Sequence, residues 1–176
     1  VTRQADTANG AGNSEVFNSE QGVLFANILP STFTDVAPNY YKFISLSNGT
    51  SSNRLLLGIT SASKLAITMV TSGGNTAFTE TTISKQSLKV AINWDANYLT
   101  VYLNGFQFLT PLSIVSNFAA NTLNRLNFNT PTSYPFYGKT KEISYYDTAL
   151  TDEELEYLTS YRSLNELVTE LNLNTL

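Results

Sequence analysis

Several side chains suited to noncovalent recognition lie in predicted loops of the chain. An aromatic face packs against the apolar side of a sugar ring, and amide or carboxylate groups bind its hydroxyls. The loop residues of these types are Tyr40, Tyr41, Asp95, Asn97, Tyr98 and Tyr134. We predict a ligand-binding site among them, although a surface tyrosine in a β-protein more often covers the core. Trp94 ends an apolar stretch, so we expect it in the core instead.

Oxygen-bearing side chains near the N-terminus form a second candidate site. Calcium takes several oxygen ligands from carboxylates, amides and backbone carbonyls. The candidate ligands are Asp6, Asn9, Asn13 and Glu15, and Asp95 with Asn97 offers an alternative source. Clustered Asp and Asn residues also form turns, and the sequence contains no D-x-D-x-D loop. Calcium is therefore the one cofactor for which the sequence offers ligands.

The residue types that the chain lacks exclude most covalent chemistry. With no His and no Cys, it cannot form a Ser-His-Asp triad, a cysteine nucleophile or a conventional zinc site. Retaining glycoside hydrolysis needs two carboxylates about 5 Å apart. Glu80 and Glu142 stand singly in predicted strands. We therefore predict a protein that binds without catalysis, and a polysaccharide-degrading enzyme remains the alternative if distant strands bring two carboxylates together.

The chain has 176 residues, which is the size of one compact domain. Charged residues make up only 14% of it, and its net charge is −4. Because a phosphate-binding surface needs clustered cations, we predict no nucleic-acid partner. No stretch approaches the roughly 18 consecutive apolar residues of a membrane span, so we also predict no membrane insertion.

Short antiparallel strands account for the pattern along most of the chain. Segments rich in β-branched and aromatic residues alternate with turn formers such as Asn48-Gly49 and Asn104-Gly105. The predicted strands cover residues 22–28, 41–47, 53–60, 64–71, 76–83, 88–94, 98–105, 106–110, 123–129 and 137–147. Helical periodicity is absent before residue 151, so we predict an all-β sandwich over residues 1–150.

The pattern becomes helical over residues 151–176. Thr151 and Glu154 have the spacing of a capping box, and Leu155 and Leu158 define an apolar side. A second helical stretch, residues 163–173, carries an apolar stripe formed by Leu164, Leu167, Val168 and Leu171. We predict that this C-terminal helical segment packs on the sandwich or on a neighbouring subunit.

Two segments carry a resemblance to a known family. KVAINWDANYLTVYLNGFQ (89–107) reads as a hairpin whose second strand ends in Y-x-N-G, and FYGKTKEISYYDTALTDEELEYLTSY (136–161) reads as a closing strand joined to a capped helix. Together they resemble the concanavalin A-like lectin/glucanase superfamily in its laminin-G and pentraxin-like branch. The resemblance implies an antiparallel jelly-roll β-sandwich with a short C-terminal helical segment, and a carbohydrate-binding role. Pentraxin-like relatives often bind calcium, whereas the E-x-D-x-x-E pattern of the family's glucanases is missing from this sequence.

A narrower resemblance is to the C-terminal domains of bacteriophage tail fibres and related virion proteins. It rests on residues 9–28, on ISLSNGTSSNR (44–54) and on YGKTKEISYYDTALTDEEL (137–155). It implies a lectin-like module on the virion surface, or otherwise an extracellular one, that binds a glycan or a bacterial cell-surface polysaccharide for host attachment. It also implies contact with neighbouring virion subunits and assembly as a homotrimer. The alternative is a structural virion module that packs through its leucine stripe and binds no glycan.

Overall fold

The structure is a computed structural model that describes residues 8, 10–30, 42–60, 64–72, 74–83, 87–108, 110–131, 134–136 and 138–163. Within these residues the chain forms eleven strands and one helix. The strands are β1 (Gly22–Pro30), β2 (Lys42–Ser47), β3 (Arg54–Ile59), β4 (Lys64–Thr71), β5 (Gly74–Thr82), β6 (Leu88–Trp94), β7 (Tyr98–Leu103), β8 (Phe106–Gln107), β9 (Leu112–Ser113), β10 (Arg125–Asn127) and β11 (Gly138–Tyr146), and the helix is α1 (Asp152–Thr159).

The strands form two antiparallel sheets. The first sheet has the order β11-β1-β6-β7-β8, with β9 paired to β7, and the second sheet has the order β10-β2-β3-β4-β5. Strands β2 to β5 follow one another as a meander, whereas β1 lies between strands from the middle and the end of the chain. The predicted all-β, antiparallel sandwich is confirmed.

The core lies between the two sheets, because alternate side chains of a strand point to opposite faces. Ile44 and Ile67 of the second sheet and Ile92 of the first belong to it, and all three are buried. Trp94 is also fully buried, and its Nε1 donates a hydrogen bond to the Ser19 carbonyl at 3.2 Å. Its predicted place in the core is confirmed.

Predicted and observed strand bounds agree best in the apolar segments. Strands β4 and β6 begin and end where the sequence predicts. Strand β7 ends two residues early, because Asn104 and Gly105 form the turn with φ angles of 51° and 87°. Two successive left-handed residues are the geometry of a tight hairpin turn. The sequence does not predict β9, since a strand of two residues has too little alternation to be recognised.

The helix α1 begins with the predicted capping box. The Thr151 hydroxyl oxygen accepts a hydrogen bond from the Glu154 N–H at 3.3 Å. The Thr151 N–H and hydroxyl donate in turn to the Glu154 carboxylate, at 2.9 and 2.8 Å. These bonds favour the charged carboxylate and lower the pKa of Glu154.

One side of α1 packs on the outer face of the first sheet. Leu155 is fully buried there against a cluster that includes Val23, Phe25 and Tyr102. Among the described residues, no helix is long and apolar enough to cross a membrane. Of the predicted second helix, residues 164–173 lie outside the described part of the chain, so the division into residues 1–150 and 151–176 stays a prediction.

The closing strand β11 contains the residues of the second motif. A Cβ on Gly138 would lie 2.9 Å from the Leu29 carbonyl oxygen, so the strand approaches its neighbour too closely for a side chain. Ile143 packs against the core. The Tyr145 hydroxyl accepts from the Asn18 N–H at 2.7 Å and donates to the Asn18 carbonyl at 3.1 Å, and burial raises the pKa of Tyr145 to about 12. The last strand is thereby tied to the N-terminal segment.

Candidate functional site

The helix α1 packs on the first sheet, where it contacts β6, β7 and β8. In the described ranges, no helix packs on the outer face of the second sheet. Its outward side chains alternate with core residues along each strand. They are Phe43, Ser45, Ser47, Arg54, Leu56, Lys64, Ala66, Thr68, Val70, Phe78, Glu80, Arg125 and Asn127. Of this set, Ser45, Ser47, Leu56, Ala66, Val70 and Asn127 are buried. The groups left at least partly exposed are aromatic, cationic, acidic and hydroxyl side chains.

Three of the aromatic side chains that the structure describes lie on the outer face of the second sheet. The Phe43 ring lies over Gly58, its direct partner on β3, where an added Cβ would collide with Phe43 Cε1. Tyr134 meets Phe43 edge to face, with ring centroids 6.3 Å apart and an interplanar angle of 72°. Tyr134 is 37% exposed, and Phe78 on β5 is 51% exposed. Partly exposed aromatic rings therefore lie near β2, where Tyr134 meets Phe43, and on β5, where Phe78 is exposed.

Tyr134 reaches this face from a loop that is pinned at its base. The Phe136 N–H donates to the Phe128 carbonyl at 2.7 Å, and the Ser45 hydroxyl donates to the Asn129 carbonyl at 2.6 Å. Tyr134 itself has a φ of 64°, a left-handed conformation that is rare for a bulky residue. Backbone strain of this kind concentrates at functional sites, where the surrounding structure holds it in place.

Arg54 places a cation on β3, four residues along the strand from Gly58, the partner of Phe43. It stands directly across from Ser47 on β2 and Val70 on β4. Its Nε is buried and makes no hydrogen bond to any described residue. Burial lowers the pKa of Arg54, because it removes water from the charged group. A partly buried guanidinium favours an anion at those of its N–H groups that solvent reaches, whereas the Nε itself is closed to solvent.

Polar groups on β4 and β5 complete the surface. Lys64 and Glu80 form an ion pair, and both side chains remain more than a third exposed. Thr68 lies between Leu56 and Phe78 in one cross-strand row. Three strand spacings of about 4.8 Å separate β2 from β5, so the aromatic sides are about 14 Å apart. That span accommodates more than one sugar ring.

The predicted cluster at the β6–β7 turn is held together by its own backbone. The Asp95 carboxylate accepts hydrogen bonds from the N–H groups of Asn97 (2.6 Å) and Tyr98 (2.8 Å). Tyr98 is 49% exposed on the first sheet, so the structure does not join it with Tyr134, which contacts the second sheet. Tyr40 and Tyr41 lie outside the described residues. Of the predicted ligand residues, Tyr134 alone is placed on the outer face of the second sheet by the described coordinates.

The predicted calcium ligands are only partly described. Asp6 and Asn9 lie outside the described residues. The Asn13 side-chain oxygen accepts from the N–H groups of Glu15 (2.9 Å) and Val16 (3.1 Å), so it serves a turn. In the described ranges, no three Asp or Glu residues are arranged to hold a metal ion. The calcium site stays a prediction.

One polar groove gathers carboxylates from distant parts of the chain. It is lined by Glu15 and Glu20 of the N-terminal segment and by Asp147 after β11. All three side chains are exposed to solvent. A glycosidase acid needs a desolvated surrounding that keeps its carboxyl protonated. The groove does not provide that surrounding.

Solved structures of other proteins share this architecture. A CBM40 domain of the Ruminococcus gnavus IT-sialidase, bound to α2,3-sialyllactose, superposes with a TM-score of 0.66 and 19% identity over 90% of this chain and 97% of its own. A leech intramolecular trans-sialidase gives a TM-score of 0.65 with 20% identity over 87% of this chain but only 27% of its own. A heptameric pentraxin from Limulus polyphemus gives 0.59 with 15% identity over 85% and 75%. No protein-family profile and no curated protein sequence matches.

These likenesses show the fold: the chain is a concanavalin A-like jelly roll, as the motif resemblance implies. The two segments over residues 89–107 and 136–161 correspond to the β6–β7 hairpin and to β11 with α1. None of these three structures is a phage tail fibre, so the narrower resemblance stays a prediction.

The sequence does not predict the site residues that lie inside strands, namely Phe43, Arg54 and Phe78. Alternation along a strand separates inner from outer positions, but it does not tell which outer face a helix covers. One usable signal exists in β5, where Phe78 shares its strand phase with Glu80. An aromatic residue in phase with a charged one indicates an outward-facing ring.

Proposed function

We propose that the chain is a non-catalytic carbohydrate-binding module and that the sugar binds on the outer face of the second sheet. The observation that carries this proposal is the presence of the partly exposed rings of Phe78 and Tyr134 on the same sheet face as the cation of Arg54. The sheet holds Phe78 and Arg54, and a loop tied by Phe136 N–H to the Phe128 carbonyl holds Tyr134, which reduces the entropy lost when a ligand binds.

Each part of the face has a distinct task in this proposal. The aromatic rings pack against the apolar sides of sugar rings, which contributes about 0.5–1.5 kcal/mol per ring beyond the buried area. The Lys64–Glu80 pair and Thr68 bind hydroxyls. In this proposal none of these groups transfers a proton to the sugar or forms a covalent bond with it, so the sugar binds and dissociates unchanged.

Arg54 favours a sugar that carries a carboxylate. A carboxylate accepts charge-assisted hydrogen bonds from a guanidinium, and these are about twice as strong as bonds between neutral groups. The CBM40 domain of the Ruminococcus gnavus sialidase is bound to sialyllactose, an acidic sugar, which supports an anionic ligand here.

Calorimetric titration of the whole chain with 3′-sialyllactose and with lactose tests the proposal. We expect 3′-sialyllactose to bind more tightly, and Phe78→Ala to weaken binding by about fivefold, the equivalent of about 1 kcal/mol of stacking. Phe106→Ala is the matched control, because Phe106 is 78% exposed on β8 of the first sheet. Equal loss in both variants, or no binding of any sugar on a glycan array, overturns the proposed site.

Catalysis is tested separately by reducing-sugar release from bacterial polysaccharides. We expect none from the wild-type chain. Measurable turnover that is lost in Glu20→Gln or Asp147→Asn would instead favour a polysaccharide-degrading enzyme in the polar groove.

We further propose that the module belongs to a phage tail fibre or another virion protein and attaches to a host envelope glycan. The support is the motif resemblance over residues 9–28, 44–54 and 137–155. Binding of the purified chain to whole bacterial cells, reduced by Phe78→Ala and unchanged by Phe106→Ala, is the expected result. A chain that binds no envelope sugar but assembles as a trimer would favour a structural virion module.

A further inference from the structure

A second incompletely covered surface lies beside α1, on the opposite sheet from the proposed sugar site. An open groove there is lined by Tyr146, Leu150, Glu153, Glu154, Tyr157, Leu158 and Arg162. Leu150 and Leu158 pack against the apolar cluster beneath the helix, whereas Tyr157 is 69% exposed. The groove thus extends a buried apolar cluster to the surface. An exposed apolar patch with a polar rim often marks a site of association between proteins.

The described chain continues from the other side of α1. The helix ends at Thr159. Ser160, Tyr161 and Ser163 then line a separate groove, which also contains Phe106 of β8. Ser163 is the last described residue, so the chain is last seen on the far side of the helix from the first groove. No described segment covers the first groove.

Charges of opposite sign lie along the first groove. The Arg162 guanidinium lies over the Tyr157 ring, 5.7 Å from its centroid. Glu153 belongs to the first turn of α1, four residues before Tyr157 and therefore about 6 Å from it along the helix axis. All three side chains are exposed. The groove therefore presents an aromatic ring with a cation against it and an acid one turn away.

We propose that α1 packs antiparallel against α1 of a second copy, about a two-fold axis that passes near Tyr157. A two-fold axis brings the same surface of both chains together. Each Arg162 then faces the partner's Glu153, and each Tyr157 ring covers the apolar groove of the other copy. The antiparallel arrangement also opposes the two helix dipoles. An acidic or a basic partner fits less well, because it would be repelled by one of the two charges.

This pair is expected to be weak, because a helix of eight residues offers a small contact. Interfaces that bury less than about 1,200 Å² form transient complexes. We expect a dissociation constant on the order of 100 µM, so the chain should be a monomer at a few micromolar.

The pair leaves the outer face of the second sheet open, since α1 packs on the first sheet. The two outer faces of the second sheets would point away from each other. One consequence rests on the proposed function: a pair that binds sugar on both faces can cross-link two glycan-bearing surfaces.

Sedimentation velocity of the whole chain from about 10 µM to 1 mM tests the pair without any sugar. We expect the wild type to change from monomer to dimer over this range. Glu153→Arg and Arg162→Glu should each raise the dissociation constant at least about tenfold, because the two-fold axis repeats every contact and two attractive pairs become repulsive. The double variant Glu153→Arg with Arg162→Glu should form the dimer again. Glu156→Arg is the matched control, because Glu156 lines the groove on the other side of α1.

Several outcomes overturn this proposal. They are a monomer at every concentration, which would leave the groove to a different partner, a trimer, a double variant that stays monomeric, or an equal loss in Glu156→Arg.

Beads coated with 3′-sialyllactose separate the pair from the sugar site. The wild type should aggregate the beads, whereas Glu153→Arg should bind them without aggregating them. A wild-type dimer that does not bind the beads would contradict the proposed function and leave the pair standing. Equal aggregation by both proteins would contradict the pair.

Discussion

The two outer faces of the sandwich differ in what covers them. On the first sheet, Val23, Phe25 and Tyr102 are buried with Leu155 of α1. On the second sheet, Phe78 and Tyr134 remain partly exposed. Both faces arise from the same alternation of side chains along strands, so alternation alone does not determine which one α1 covers. On the second sheet the outward Ser45, Leu56 and Val70 are buried without that helix, and exposure is confined to side chains such as Phe78 around them.

The polar groups of the two faces differ in the same way. On the first sheet, Lys89 Nζ donates to the Ser160 carbonyl at 3.0 Å at the end of α1. Burial raises the pKa of Tyr102 nearby, and the Asp152 carboxylate raises it further. On the second sheet, Arg54 Nε is buried and has no partner among the described residues. The two faces therefore differ at these two cations: Lys89 is paired with the end of α1, and the buried Arg54 Nε is not paired with a described residue.

The largest effect on stability is expected where the helix closes the first face. Leu155→Ala removes a fully buried side chain and should lower the free energy of unfolding by about 2–5 kcal/mol in urea titrations. Sugar affinity of the folded protein should not change, because the proposed site lies on the other sheet. A folded Leu155→Ala protein with lost affinity would show that the two faces are coupled and would break the comparison.

The next largest effect is expected on ligand selectivity. Arg54→Gln should weaken 3′-sialyllactose binding by about 10- to 100-fold, since hydrogen bonds to charged groups contribute about 1.5–3 kcal/mol. Lactose binding should change little, and the free energy of unfolding should not fall. Arg162→Gln removes the same charge near α1 and serves as the control. Similar losses in both variants would mean that net charge, and not contact, determines affinity.

A smaller effect is expected from filling the space under Phe43. Gly58→Ala forces the Phe43 ring to move and should cost about 1–2 kcal/mol of stability, with weaker sugar binding. Gly74→Ala is the matched control, because its nearest contact would be the Thr71 carbonyl oxygen at 3.8 Å. Urea titration and calorimetry measure the two quantities. An unchanged affinity in Gly58→Ala would remove Phe43 from the site.

The smallest effect is expected at the start of α1. The pKa of Glu154 is lowered from 4.5 in the folded state, so its capping contribution is present above about pH 4.5 and is lost as the pH falls through the folded pKa. The melting temperature of Glu154→Gln should therefore differ from that of the wild type most at neutral pH and least in acid. Glu153→Gln is the control from the same helical turn. A difference in melting temperature between Glu154→Gln and the wild type that increases as the pH falls would contradict this prediction.

The fold was predictable because it rests on local patterns. Apolar segments such as 64–71 and 88–94 fix strand bounds, and Thr151 with Glu154 fixes the start of α1. The family resemblance carried by residues 89–107 and 136–161 implied the jelly-roll type of sandwich, which the structure confirms. These features need no knowledge of distant contacts.

The candidate site was not predictable in the same way. Arg54, Thr68 and Phe78 are separated along the chain, and only the register of β3, β4 and β5 brings them onto one face. The predicted Asp95, by contrast, has the composition of a binding loop but uses its carboxylate within its own turn. Composition identifies groups that can bind a ligand, whereas strand register determines which of them lie together.

Amide NMR of the chain during titration with 3′-sialyllactose tests the central claim most directly. If the outer face of the second sheet binds the sugar, the shifts should change at Phe43, Thr68 and Phe78 and stay constant along α1. Changes confined to the Asp95–Tyr98 turn or to the groove of Glu15 and Asp147, or no changes at all, would contradict the account.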